Sequence, residues 1–185
     1  ESCKKISYLF PRAHAVAYVM MAFRIAWFKV YHPLAFYAAY FSIRAKAFDL
    51  RIMTGDLKTQ LTEFNRIKAL DRAASPKDKD LMSALEVSME MYQRGYRFIN
   101  VDIQHSEARR FSIKDGALLP PFLAIDSLGE TVADAIVEER NERPFTSLKD
   151  LQRRCKVSNT IIDLMKDLKC CGELPEDEQM SLFGA

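Results

Sequence analysis

A chain of 185 residues has room for one medium domain or two small ones, and its 49% hydrophobic and 28% charged residues exclude an intrinsically disordered protein. The net charge of +2 is close to neutral, so affinity for nucleic acid has to come from local placement of cations and not from the overall field. Four cysteines, Cys3, Cys155, Cys170 and Cys171, form no C-x-x-C pair, which argues against structural zinc and a disulfide framework and for reduced thiols in a cytoplasmic protein.

Residues 1–5 are charged and no cleavage pattern follows, so no secretory signal is expected. Pro11 suits a helix start, and residues 13–31 are rich in apolar side chains without a breaker. His14, Arg24 and Lys29 interrupt this run, which predicts a largely buried helix of a soluble core and no membrane span. Pro33 ends or bends it, and residues 34–44 resume as an aromatic-rich helix. The aromatic and methionine side chains here are expected to pack, and His14 and His32 have no carboxylate or cysteine at metal-ligand spacing. Arg12, Arg24, Lys29 and Arg44 are the informative polar residues of the block, because so apolar a segment tolerates few charges without purpose.

Residues 49–74 have helical spacing throughout, with Leu57, Leu61, Phe64 and Ile67 on one face. Ser75 and Pro76 predict an N-cap and first position for a helix over 77–94, and Gly95 is a suitable residue to end it. From Tyr96 the period shortens: 97–103 and 110–113 alternate as strands do, and Lys114-Asp115-Gly116 supplies a turn into 117–119. A small antiparallel sheet should therefore end at Pro120-Pro121, with four short helical pieces over 124–174 beyond it.

Around Leu128-Gly129 the chain reverses too tightly for an ordinary loop, between a short helix within 121–125 and a longer one over 131–140. Val132, Ala133, Ile136 and Val137 should face inward, and Gly129 is expected to supply special dihedral angles or close approach. The backbone N–H groups of Gly129, Glu130 and Thr131 then stand at a helix start, where the positive end of the dipole suits a DNA phosphate. Such contacts hold DNA without reading its sequence.

The run Leu128-Gly129-x-x-x-Ala133-x-x-Ile136-x-x-x-Arg140 resembles the helix-hairpin-helix family. Ser127 stands where the family's turn has its first glycine, and its hydroxyl can itself contact phosphate. Residues 157–174 resemble a second, degenerate hairpin: Ser158 caps a helix through Leu168 and Gly172 follows, but the central glycine is missing. Paired hairpins of this family imply one unit straddling the minor groove. The competing reading is a helical corner that only packs, and the doubling weighs against it. A base-excision glycosylase would place a catalytic aspartate near Asp150, but this residue sits at a helix start where an acid is stabilising anyway, and no catalytic lysine accompanies it.

The block F-P-x-A-H-x-x-A-Y, with a lysine before H-P-L-x-F-Y-A-A-Y-F, resembles the end of the fingers domain of bacterial family C replicative DNA polymerases, nearest the PolC type. The likeness continues through Arg94-Gly95-Tyr96, the sheet, Leu119-Pro120-Pro121-Phe122, the hairpins and the tail. It implies a mainly α fold with a small antiparallel β element, in which 1–98 are the C-terminal part of the fingers and 99–174 the sheet with a tandem helix-hairpin-helix duplex-binding module. Residues 175–185 become a flexible tail. Arg12 and His14 become the first candidates for the incoming nucleotide, with Arg24 and Lys29 on the same helix. Ser127, Leu128, Gly129, Glu130 and Thr131 become the phosphate contact. Gln179, Met180, Ser181, Leu182 and Phe183 match the family's Q-x-S-L-F sequence for the sliding clamp, and the acidic residues before them should keep the tail solvated.

The implied partners are primer-template duplex, deoxynucleotide, sliding clamp and the rest of a polymerase chain, with no membrane. The Mg²⁺-binding aspartates belong to a palm domain that this sequence does not contain, so no cofactor is expected here and the chain alone should be inactive. Its abrupt start, close to a motif, is that of a fragment. An accessory helix-hairpin-helix DNA-binding protein without polymerase context is the alternative.

Overall fold

The structure, a computed structural model, describes residues 12–177. Helices α1 (Arg12–Tyr31) and α2 (Pro33–Ile43) are separated at His32, where Pro33 occupies the first turn of the second helix. α3 (Leu50–Met53), α4 (Leu57–Leu70) and α5 (Pro76–Gln93) follow, with a 3₁₀ turn at Asp71–Ala73 between the last two. Strands β1 (Ser112–Lys114) and β2 (Ala117–Leu119) form an antiparallel hairpin in which Ser112 faces Leu119. A 3₁₀ turn (Phe122–Ala124) and helices α6 (Glu130–Glu142), α7 (Leu148–Cys155) and α8 (Asn159–Asp167) complete the described chain.

α5 begins as the sequence predicts. Ser75 Oγ accepts from the Asp78 amide at 3.1 Å, and the Asp78 carboxylate accepts from the Ser75 amide at 3.0 Å, a reciprocal cap that satisfies two otherwise open donors. The segment 49–74, read as one helical stretch, is three pieces. Asp49 and Asp56 each cap a new start, accepting from Ile52 N at 3.0 Å and Thr59 N at 2.8 Å, so the chain restarts at Thr54-Gly55-Asp56. The expected strand over 97–103 is only an isolated bridge between Phe98 and Leu118. Beyond it, Asp102 Oδ1 accepts from Gln104 N at 2.8 Å and Ser106 Oγ accepts from Asp102 N at 3.0 Å, local bonds that replace the strand ladder. The strand expected over 110–113 begins at Ser112. The turn between β1 and β2 places both Asp115 (φ 51°) and Gly116 (φ 74°) in the left-handed region, as a two-residue hairpin with right-handed strand twist requires.

Two apolar clusters hold the chain. One gathers Tyr37, Phe41, Met53, Ile67, Leu85, Met91, Phe98 and Leu118 from α2–α5, the segment after α5 and the hairpin; the other gathers Val101, Ile103, Phe122, Leu128, Ile136, Leu151, Val157 and Met165. Phe48 packs against both, and its ring lies edge-on to Phe98 at 5.2 Å and Phe111 at 5.0 Å. Gln60, fully buried, donates to Met53 O at 3.1 Å and accepts from Ser88 Oγ at 2.6 Å, which joins α4 to α5.

α1 corrects the sequence reading. None of its residues is buried, and Phe23 is 73% exposed, so it is not a core helix of this chain. Apolar residues on all sides of a helix need cover on all sides, and α2 supplies it along one only. By length and composition α1 could also span a membrane. Its last turn is instead tied to the folded body: Lys29 Nζ pairs with Glu90 at 2.6 Å, and Arg94 donates to Lys29 O at 2.9 Å and Tyr37 OH at 3.0 Å.

Candidate nucleic-acid interface

The first hairpin turn is built by Ile125–Glu130. Leu128 is buried in the second cluster and draws the reversal inward, while Ser127 and Gly129 on either side are exposed. Ser127 has φ 63°, the left-handed conformation that a glycine would take without the penalty of about 1–2 kcal/mol that a side chain brings. Gly129 is the N-cap of α6 with φ −76° and ψ 156°, an ordinary extended backbone. Of the two roles expected at Gly129, the special dihedral angle thus belongs to Ser127, and close approach is the one left to Gly129. Gly129 O accepts from Val132 N at 3.1 Å and Ala133 N at 3.0 Å, so the helix starts cleanly. The amides of Glu130 and Thr131, exposed at its tip, precede the first intrahelical bonds. A Cβ at Gly129 would meet nothing within 4 Å, which leaves room for another molecule's backbone to approach.

The second turn has the same conformation. Lys156 (φ 53°) stands where Ser127 stands, Val157 is buried in the same cluster as Leu128, and Ser158 (φ −70°, ψ 155°) caps α8 as Gly129 caps α6. Ser158 Oγ accepts from Ile161 N at 3.3 Å. Ser158 is legible in the sequence as a helix cap, whereas nothing local marks Lys156 as left-handed. The missing signal was the left-handed residue, a buried aliphatic and an N-cap in consecutive positions, spelled Ser-Leu-Gly once and Lys-Val-Ser the second time.

The acids at the α6 start are offset by a residue that sequence reading missed. Arg109 donates to Glu130 Oε2 at 2.5 Å and to Asp134 Oδ1 at 3.0 Å, removing much of the negative charge that would repel a phosphate from this helix end. Arg109 and Asp134 are 25 positions apart, a separation that no local pattern reveals.

Asp150 is no free acid. It lies 1% exposed at the start of α7, and Arg143, Arg153 and Arg154 reach it at 3.2, 2.9 and 3.3 Å. Burial pushes its carboxyl pKa up, but hydrogen bonds from Arg153, the Thr146 amide and Arg154 outweigh that and hold it below the usual range. A carboxylate so neutralised is a poor general base, which removes the structural ground for a glycosylase.

The four nucleotide-side candidates do not converge. Arg12 and Lys29 stand about 26 Å apart along α1 at 1.5 Å per residue. Arg12 and His14, two positions apart, lie on different faces. His14 meets Tyr18 edge-on at 4.5 Å, Arg24 Nη1 lies 4.0 Å from Met21 Sδ, and Lys29 is engaged by Glu90. Gln179, Met180, Ser181, Leu182 and Phe183 lie outside the described residues. Among the described residues no three His, Cys, Asp or Glu side chains stand together as a metal site.

The family described as "Helix-hairpin-helix motif" matches residues 95–179. The DNA polymerase III PolC-type of Caldanaerobacter subterraneus subsp. tengcongensis is 48% identical over 183 residues, 99% of this chain and 13% of that protein. The protein of the same name from Streptococcus suis is 48% identical over 185 residues, and those from Streptococcus pyogenes are 46% identical over 186. The chain spans about an eighth of the length of these relatives. With hairpin geometry in its second half and this identity from end to end, the chain corresponds to a segment of a PolC-type DNA polymerase III that carries a helix-hairpin-helix motif.

Proposed function

We propose that this segment holds primer-template duplex for a DNA-directed DNA polymerase, through two backbone-amide sites at the starts of α6 and α8. The observation that carries the reading is the repeated turn: two left-handed residues, two buried aliphatics and two exposed helix starts anchored in one apolar cluster. Ser127, Leu128, Gly129, Glu130 and Thr131 form the first site, with the amides as donors and Leu128 as the anchor of the turn. Residues 1–98 act as the end of the fingers, 99–174 as the duplex module and 175–185 as the tail. On α1, Arg12 and His14 remain the first candidates for the nucleotide side, from two different faces of the helix, with Arg24 further along it, while the Lys29–Glu90 pair fixes the helix end. Gln179–Phe183 tether the enzyme to the sliding clamp, and a cytoplasmic location follows from this role.

Duplex binding by the purified chain should weaken as salt rises, because the phosphates held at the helix starts and beside exposed cations such as Lys156 shed condensed counterions. The same chain should give no Mg²⁺-dependent primer extension. Binding that ignores salt, or extension by the chain alone, contradicts the reading.

Gly129→Val is a clean probe of the first site. A Cβ at Gly129 meets no described atom within 4 Å and the backbone angles suit valine, so the stability cost should be that of a poorer N-cap, about 1 kcal/mol. Duplex affinity should fall about tenfold on all sequences alike, because the valine stands where a phosphate must come close. Equal affinity in a folded variant would remove Gly129 from the interface.

A further inference from the structure

The stretch after α8 is not the unpartnered tail that its composition suggests. Leu148 N donates to Pro175 O at 2.9 Å and Lys149 N to Glu176 O at 3.3 Å, while Asp150 N is taken by Ser147 Oγ at 3.0 Å. All three first-turn amides of α7 are thereby satisfied, two of them by the tail. Side chains reinforce the grip: Lys149 Nζ pairs with Asp177 at 2.6 Å, and Lys166 Nζ, on α8, pairs with Glu176 at 2.7 Å. The acidic residues expected to keep the tail in solvent instead fasten it to both helices of the second hairpin.

We propose that the second hairpin grips residues 175–177 to present the clamp-binding sequence on a short leash, with Lys149 and Lys166 as positioning residues for clamp engagement. The proposal rests on the clamp reading given above. Among the described residues Leu174 is the last packed on the apolar cluster, and from there Gln179 could reach about 18 Å at ~3.6 Å per residue. From Asp177, the last gripped among the described residues, it reaches about 7 Å. The volume open to the peptide shrinks roughly fifteenfold, and its effective concentration beside the duplex module rises by a similar order. A clamp that takes the peptide is then drawn against the α7–α8 side of the module that holds the duplex, so ring and duplex meet in a fixed relation. Two exposed ion pairs add little stability; their effect here is on where the peptide leaves the fold.

The test uses the full-length polymerase with clamp loaded on primed DNA. A flexible Gly-Ser insertion of about twelve residues after Asp177, with an end-to-end distance of about 20 Å, should cut clamp-dependent processivity several-fold. Primer-template affinity without clamp should stay unchanged, as should the affinity of the free tail peptide for the clamp. In Lys149→Ala/Lys166→Ala the amides of Leu148 and Lys149 should exchange hydrogen faster and processivity should fall in the same direction. Unchanged processivity in the insertion variant, or unchanged exchange in the lysine variant, overturns the leash while leaving the clamp reading intact. A tail peptide that fails to bind the clamp overturns both.

Discussion

Leu182→Ala combined with Phe183→Ala should abolish capture of the sliding clamp, with a loss of about a hundredfold or more in affinity. Short peptides that fill a pocket place most of their binding energy in one or two apolar anchors, each worth about 2 kcal/mol or more. Losing both exceeds the 1.4 kcal/mol that corresponds to each tenfold change. Gln179 would contribute a hydrogen bond at the pocket rim and Ser181 little beyond fit, so neither compensates. Duplex affinity should be unchanged in the same variant, since the hairpin turns at Ser127–Gly129 and Lys156–Ser158 are separate from these residues in sequence. Calorimetric titration of the clamp with parent and double variant checks the expectation, and equal affinities would remove the tail from clamp binding.

Asp150→Asn should destabilise the second half of the fold by about 3 kcal/mol. The carboxylate is buried beneath three guanidiniums, and Arg154, itself 11% exposed in its side chain, also pairs with Glu139 of α6 at 2.9 Å. Removing one partner of a buried ionic network costs about 3–5 kcal/mol, and the low end applies because Arg143 and Arg153 are 56% and 70% exposed in their side chains and regain water. For a chain of this size the melting temperature should fall by roughly 6–12 °C. The pH dependence follows from the lowered pKa of Asp150 in the folded state. Its contribution is complete above the unfolded value of about 3.9 and is lost as pH falls through the lower folded value. The parent should therefore lose stability on acidification below about pH 4, and the asparagine variant should lack that part of the loss. Thermal melts of both proteins across this range are the measurement; an identical acid profile would mean that Asp150 is not the group responsible.

The elements that depend on near neighbours were legible in the chain. Ser75, Pro76 and Asp78 specify the α5 start, Lys114-Asp115-Gly116 specify the β-turn, and Ser158 the α8 start, because each cap or turn closes over three or four residues. Leu128-Gly129 with Ala133 and Ile136 likewise marked the first hairpin. The strand read into 97–103 failed for the same reason in reverse: alternation was present, but Asp102 and Ser106 offered the backbone nearer partners than a second strand.

Helical character, the sheet turn, the first hairpin and the likeness to the PolC-type polymerases were all carried by residues close together in the chain. Tertiary structure decided what depended on residues far apart in the chain. Arg109 reaches α6 across 21 and 25 positions, Lys149 reaches Asp177 across 28, and the match between Lys156 and Ser127 is one of backbone conformation and not of residue type. Burial of α1 could not be read from its composition, because an apolar helix is buried only where something else packs on it, and among the described residues too little does.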